Sequence, residues 1–589
     1  MLNDGVPAFD IQTNSAFLLK AHLVLLSGDT PGVSKLLHLS GHVAKYPCRA
    51  CKLEGTPSKI TFKFLKGPRK GQTGGRMAYY YPLHPPTNTN SVRPQRSPAS
   101  FAKDIKNLPR RTPDGYVHDG ETSLQDPQRA TDSGVKGISP FSRLATISIP
   151  ESAPFDVMHL VYLGLVRDLC ALLNGKFFKS PDLNNHDGRM TEKHWEDLGV
   201  DMSNIRAPVS WGRYPRNIEK YIKGFKAEEL SNFLIHYLLP LSFNRVSTST
   251  YKALQSLVLV ISMATSYQVE HNEILEIEQH LALFAKWYYD TFYQENSQRL
   301  PACKYTIHGL LHLTHDIQNW GPASYFWQFP EVPIRCRIHA LIVKERLCGI
   351  LVNDVKSRVY GSENLSVLMH QHQLLSFATK FGIFGDEQPS STSSFTVGEY
   401  GSEYSFMPPA KSPPHRLTPS QFKHLQQHYR TIHSIRNSRD PELLNMDSTV
   451  QLWYRCQIDK TIYHCAEYQR KNSTRLNHLV CIEQTVDANA NFSYRSRPEH
   501  MTAVEFYAYV QFYCTHTFRG LPQMLMYSGL RKVEIHDGLV EDKGHHHYGF
   551  QDIRVLQHLC AKVTGQGGKV YFIDAPEMME ERLREALLD

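Results

Sequence analysis

Apolar residues run almost without interruption from Ala16 to Gly28 and stop at Asp29-Thr30-Pro31. The second half of that run, His22 to Ser27, reads as a buried strand, since a short apolar stretch ended by turn residues suits one. Pro31 fits the first position of a helix capped by Asp29 or Thr30, and Val33, Leu36 and Leu37 give that helix an apolar face until Gly41. The predicted order is therefore strand, carboxylate at its tip, helix. From about Thr61 to Thr131 no period is sustained; Pro, Arg, Ser, Thr and Gly dominate, with basic clusters at Lys66 to Lys70 and Arg110-Arg111. This composition predicts a long flexible insertion.

Helical patterning returns at Pro154 and recurs at Phe233 to Leu239, Tyr251 to Ser266 and Glu273 to Gln294, which predicts an all-α block. A further helix is expected over Tyr305 to Ile317. The turn Trp320-Gly321-Pro322, an aromatic extended piece through Phe329-Pro330 and a helix near Glu345 to Lys356 follow. A Ser-, Pro- and Gly-rich stretch then marks a boundary over residues 388–419. After one helix, Ser420 to Arg436, the pattern alternates at period two: Val450-Leu452-Tyr454-Cys456, Phe506 to Phe518 and Lys569 to Asp574. Residues 420–589 thus predict a small β-rich domain, with His545-His546-His547 on a loop and a charged helix over Met578 to Leu588.

Composition adjusts this picture little. The chain has 589 residues, enough for roughly four domains, with 41% hydrophobic and 11% aromatic residues, so most of it should fold. The 65 Lys and Arg against 57 Asp and Glu give +8, which permits a polyanionic partner without demanding one. The start is neither a secretory signal nor an Arg-rich transit peptide, and no apolar run approaches the ~18 residues of a membrane span. A soluble protein without a membrane partner is expected. Most of the 11 cysteines lie singly on apolar segments, as reduced intracellular thiols do; Cys48 and Cys51 form the exception.

The two-residue gap of Cys48-Arg49-Ala50-Cys51 lets both thiolates reach one tetrahedral zinc, and it also suits a redox pair. His308 and His312, at i and i+4, lie on one helical face in the geometry of helical zinc ligands, with His315 on the same stripe. Among 30 histidines such pairs also arise by chance on surface helices. Asp29 can hold a divalent cation at a strand tip or serve as an ordinary helix cap, and Asp156 with His159 likewise suits either a site or a cap. Glu345 has no local distinction. No phosphate-cradling Gly loop and no Gly-x-Ser-x-Gly elbow is present, which disfavours nucleotide hydrolases and α/β-hydrolases.

Taken in order, Gly5-Val6-Pro7-Ala8-Phe9-Asp10, Phe17 to Lys20, Ser27-Gly28-Asp29-Thr30-Pro31, Leu39-Ser40-Gly41-His42 and Tyr46-Pro47-Cys48-Arg49-Ala50-Cys51 resemble the catalytic region of CACTA-type (En/Spm) DDE transposases in their fungal form. Asp156-Val157-Met158-His159-Leu160, similar to the family's Asp-x-Met-His motif, continues the series, followed by His308 to Leu313, Gly321-Pro322 and Glu345-Arg346. The resemblance covers roughly Gly5 to Gly382. It implies α/β architecture plus an all-α insertion: an RNase H-like catalytic fold interrupted by a long helical insertion, as in the V(D)J recombinase and Transib elements.

On that template residues 1–60 are a remnant of the RNase H-like core. Residues 61–150 are a basic insertion, 151–300 the helical insertion domain, and 301–387 the last part of the core. Asp29 matches the second catalytic carboxylate and Glu345 the third. Cys48, Cys51, His308 and His312 match a structural zinc site. The implied chemistry is two-metal phosphoryl transfer with Mg²⁺ or Mn²⁺ on transposon-end DNA, in the nucleus, and a homo-oligomer is compatible with it.

Two departures shape the expectation for activity. The family's first catalytic Asp lies upstream of the motif that begins here at Gly5, so the chain is expected to be inactive as given. Fourteen residues, Glu331 to Lys344, separate Pro330 from Glu345-Arg346, where the family has about one; Val332 to Lys344 are expected to be a retained in-frame intron. The competing expectations are a domesticated, non-catalytic zinc-containing factor that binds DNA or protein, and an unrelated helical scaffold with a β-rich module.

Overall fold

In the computed structural model, residues 5–10, 14–19, 22–63, 72–87, 94–329, 395–401, 403–435, 437, 440–459, 461–468, 475–487, 500–536, 539–574, 580, 582–584 and 586–587 are described. The chain divides into two units: residues 1–195, 224–235 and 244–373 form the first, and residues 196–223, 236–243 and 374–589 the second.

Helices dominate the first unit, and local capping chemistry starts them. Asp29 caps α1 (Thr30–Leu36), accepting from the Gly32 N–H at 2.6 Å with Pro31 in the first turn. Residues 61–131, which show no period in the sequence, carry elements. The strands β3 (Thr56–Lys63) and β4 (Thr73–Tyr80) form a hairpin, and α2 (Pro98–Lys106) and α3 (Pro113–Gln125) begin at Ser97-Pro98 and Thr112-Pro113 caps. Cap chemistry without a long apolar period is enough for such short helices, because only one or two side chains per helix, such as Phe101 and Ile105 on α2, need to be buried.

The helix that opens at Met158 is a π-helix to Val166 and continues as α4 (Arg167–Leu173). The helix α5 (Thr248–Thr265), capped by Ser247, buries residues on all sides, as a helix apolar all round must. It packs beside α6 (His271–Tyr288), which starts in a reciprocal cap between Glu270 and Glu273. Among the described residues no helix is long and apolar enough to cross a membrane.

Strands of this unit are confined, among the described residues, to two separate hairpins, β3–β4 and β1 (Val6–Asp10) with β2 (Ser15–Leu19). An RNase H-like sheet is therefore not confirmed. The strand expected over His22 to Ser27 is absent: the segment has no ladder partner and runs as an irregular strap. Leu26 is buried, with its N–H donating to the Ser152 carbonyl at 2.8 Å, and the Thr146 hydroxyl donates to the Leu23 carbonyl. An apolar run reports burial, and a strap held by turn carbonyls and a side-chain hydroxyl buries it as well as a strand would.

The second unit is built on a ten-stranded antiparallel sheet. It comprises β5 (Tyr404–Arg416), β6 (Thr449–Ile458), β7 (Thr461–His464), β8 (Leu479–Asp487), β9 (Met501–Phe518), β10 (Leu521–His536), β11 (Leu539–Asp552), β12 (Leu556–Leu559), β13 (Ala561–Thr564) and β14 (Val570–Ile573). The main path runs β12-β8-β9-β10-β11-β14-β13, with β6 joining β5, β7 and β9. Both faces are buried. Ala508, Val510 and Tyr513 of β9 enter one core, Phe512, Cys514 and Phe518 the other. The change of parity at Gln511 is a bulge, where Tyr527 pairs with Phe512 but Ser528 with Val510.

The long strand β5 runs through the stretch that reads as a linker. Its register slips between Met407 and Ala410 and again between Lys411 and His415, where Pro408-Pro409 and Pro413-Pro414 interrupt the ladder. The expected helix after it is α9 (Pro419–Ile432), whose Leu425 and Tyr429 cover the second core. His545, His546 and His547, expected on a loop, lie within β11. They read as polar, but the surface of a paired strand accepts polar residues as readily as a loop does.

Candidate metal centre

Two segments far apart in sequence build one site inside the first unit. Cys48 and Cys51 sit in the irregular chain after α1, and Cys51 forms an isolated antiparallel bridge with Arg110. Arg111 fixes the loop from behind: it is almost fully buried, its N–H donates to the Ala50 carbonyl at 3.0 Å and its guanidinium Nε to the Cys48 carbonyl at 2.8 Å. Arg110-Arg111 reads in the sequence as a basic cluster of a flexible insertion, yet Arg111 is buried and spent on holding this turn.

The histidines come from a helix pair rather than one continuous helix. The helix α7 (Tyr305–Leu310) ends in tight three-residue bonds, Leu311 to His308 and His312 to Gly309, both at 3.1 Å, and α8 (Leu313–Trp320) begins after His312. Packing places α7. A Cβ on Gly164 would come within 2.5 Å of Thr306 Cγ2, and one on Gly309 within 2.6 Å of Leu160 Cδ1, so the π-helix and α7 approach as closely as glycines allow.

The four side chains converge. Cys48 Sγ lies 3.4 Å from His312 Nε2, Cys51 Sγ 3.3 Å from His308 Nε2, and the two Nε2 atoms are 3.4 Å apart. All four ligand atoms fall within 4.8 Å of one another. Tetrahedral zinc, with bonds of about 2.3 Å to sulfur and about 2.05 Å to nitrogen, would have N–N edges of about 3.3 Å and S–N edges of about 3.6 Å, close to those found. The residues are 0 to 1% exposed, so water does not compete for the thiolates.

Burial pushes the Cys48 thiol up, but the Cys51 thiol and the two imidazoles around it more than offset this and hold it well below the ordinary value. Cys51, donating to Cys48 and buried with it, is raised, while burial lowers His312 despite the Cys48 thiol beside it. Two cysteines and two histidines converging in a dry interior could hold a metal ion, and the set is compatible with structural zinc.

Sequence reasoning missed what surrounds the centre. Phe155 stacks on His312 at 5.7 Å with planes 6° apart, and the Arg49 guanidinium caps the Phe155 ring at 4.3 Å. Tyr305 and Tyr81 border His308. Metal-bound histidines commonly donate their second nitrogen to a carboxylate or carbonyl. Here His308 Nδ1 is buried without a hydrogen-bond partner among the described residues, and His312 Nδ1 lies 3.5 Å from the Arg110 guanidinium. Aromatic packing therefore sets the ring planes. The only sequence signal for it was Phe155 beside Asp156, inside an apolar run.

The other predicted residues do not join this centre. Asp29 is exposed and its carboxylate caps α1. Asp156 is buried and also spent locally: Oδ1 accepts from the Met158 and Gln328 N–H groups at 3.0 Å, and Oδ2 contacts His159 Nδ1. His315 is not part of the cluster and neighbours Asp316 instead. Glu345 lies outside the described residues. Comparison with protein-family models, with curated proteins and with solved structures finds no match to this chain.

Proposed function

We propose that this chain derives from a CACTA-type DDE transposase and acts as a zinc-stabilised DNA-binding protein of the nucleus. The observation that carries this reading is the meeting of Cys48 with His312 and of Cys51 with His308 across 264 and 257 residues. The resemblance calls for those four residues to share one metal, and neither pair alone would imply the other. On this reading the first unit corresponds to a diverged RNase H-like region around its helical insertion, and transposon-end DNA is the ancestral partner.

The non-catalytic form is the one we favour. Asp29 is committed to its helix cap, its carboxylate accepting from the Gly32 N–H. In an active relative, Asp29 and Glu345 would hold the Mg²⁺ or Mn²⁺ ions that activate the attacking oxygen and stabilise the leaving one.

Fluorescence-anisotropy titration of the full chain with duplex DNA at rising salt tests the proposal. Log affinity should fall linearly with log salt, by about 0.9 per phosphate contacted, and depend little on sequence. No binding even at low salt would remove DNA from the partner list and leave the protein-binding alternative. A strand-cleavage assay with Mg²⁺ or Mn²⁺ should show no product; cleavage abolished by Asp29→Ala would restore the enzyme.

A further inference from the structure

A second group of ligand-type side chains lies in the sheet unit. His558 on β12 and Cys560 just after it project to the same side at i and i+2, and Asp574 follows β14, opposite Cys560 where Ala561 pairs with Ile573. We propose that His558, Cys560 and Asp574 form a second divalent-metal site, of the exchangeable three-ligand kind, suited to Zn²⁺ or Co²⁺. The inference stands on its own geometry and does not depend on the transposase reading.

The two carboxylate oxygens of Asp574 have different duties. Oδ1 faces inward, 3.1 Å from His558 Nε2 and 3.4 Å from Cys560 Sγ, and the three atoms lie within 4.8 Å of one another. Oδ2 faces away, accepting from the Tyr507 hydroxyl at 2.7 Å and from the Arg582 guanidinium, which also binds Glu505 at 2.6 Å. One oxygen is thus aimed at an imidazole nitrogen and a sulfur at tetrahedral edge lengths. The other is held by the kind of outer partners that orient a ligating carboxylate.

The order of the groups separates this from a nucleophilic triad. In a Cys-His-Asp triad the imidazole stands between thiol and carboxylate, whereas here the carboxylate stands between the other two. That is the arrangement around a shared cation. In the metal-free state protons on His558 and Cys560 point at Oδ1; a divalent ion replaces them, the imidazole takes the tautomer protonated on Nδ1, and the Cys560 proton leaves to solvent. Charge supports the exchange. Asp574, Glu505 and Arg582 sum to one net negative charge, which a dication plus one thiolate brings to zero.

Access comes from one side. The His558 side chain is 15% exposed while Asp574 and Cys560 are buried, so an ion enters past His558 and keeps a water there as its fourth ligand. Nitrogen, sulfur and oxygen donors in a four-coordinate shell favour Zn²⁺ or Co²⁺ over Mg²⁺ or Ca²⁺.

The experiment is Co²⁺ titration of the metal-stripped full chain, followed by native mass spectrometry and thiolate-to-cobalt absorption, for wild type, His558→Gln, Cys560→Ser and Tyr507→Phe. His558→Gln and Cys560→Ser should each bind one equivalent fewer than wild type, and Tyr507→Phe should bind the same number with this site about 10- to 100-fold weaker. Because His558 is the one member of the three that reaches solvent, its variant disturbs the core less than Cys560→Ser does. Equal metal content and equal absorption in wild type, His558→Gln and Cys560→Ser would overturn the proposal. Loss of the Cys48 centre alone would lower every protein by one equivalent and leave these differences intact.

Discussion

The two units hold themselves together in opposite ways. In the second, β8 to β11 run as neighbours, and backbone ladders between adjacent strands carry the structure. In the first, the loop after α1 and the α7–α8 pair, some 260 residues apart, meet through four side chains at 3.3 to 3.4 Å. Such a long closure costs entropy before any contact rewards it, and a buried ion that binds only the closed form returns that cost. A metal held by these four side chains would be structural, because no ladder joins those segments, whereas one held by His558, Cys560 and Asp574 would occupy a site that a ladder already builds.

Removing the metal should therefore separate the units most strongly. With a chelator, or in Cys48→Ser, amide exchange should accelerate by orders of magnitude in residues 39–55 and 305–320, since structural zinc can be worth on the order of 10 kcal/mol of folding free energy. Exchange in β9 and β10 should stay unchanged. Uniform acceleration through both units would break the comparison.

Phe155→Ala tests the aromatic support at a smaller scale. It removes a ring that is 1% exposed, stacked on His312 and capped by Arg49. The expected loss is about 3 to 5 kcal/mol, read by denaturant unfolding, accompanied by weaker metal retention. Loss of stability with zinc held as tightly as before would show that the ring packs the core without orienting the imidazole.

Acid should act on the sheet unit through His236, buried against Trp211 at 4.0 Å, where desolvation lowers its pKa to about 3. The unfolded chain takes up that proton near its ordinary pKa of about 6.5 and the folded chain does not. The stability is therefore complete above about pH 6.5 and lost progressively as pH falls toward 3. Denaturation midpoints at pH 7 and pH 5 should differ less in His236→Phe than in wild type; an equal difference would assign the acid loss elsewhere.

The smallest effect belongs to Asp29. As a cap, its replacement by Ala should cost about 1 kcal/mol, and Asp29→Ser should recover most of it. A serine that restores nothing would mean that the carboxylate does more than cap α1.

Much of this was legible in the sequence where short-range chemistry decides. The Asp29-Thr30-Pro31 cap, the helix with buried Leu254, Leu257 and Ile261, and the alternation of Phe506 to Phe518 all lie where local pattern puts them. The four ligands are also legible, although spacing alone leaves the thiols open to a redox role and the imidazoles to chance, and only the resemblance to CACTA-type transposases joins them. What stayed hidden depends on partners distant in sequence. The His22 to Ser27 strap is apolar like a strand but finds Ser152 and Thr146 instead of a ladder. Arg111 reads as surface charge until the Cys48 carbonyl is seen against it. The break between α7 and α8, where Leu311 and His312 turn back on His308 and Gly309, is encoded by no periodicity in residues 305 to 317.

The central claim is that Cys48, Cys51, His308 and His312 hold one structural zinc. Metal analysis of the purified full chain, beside Cys48→Ser and His312→Ala, tests it most directly. The account predicts that each variant loses one zinc equivalent relative to wild type and unfolds at lower denaturant, while His558→Gln leaves this equivalent in place. Zinc content identical in wild type, Cys48→Ser and His312→Ala, with unfolding unchanged, would contradict it.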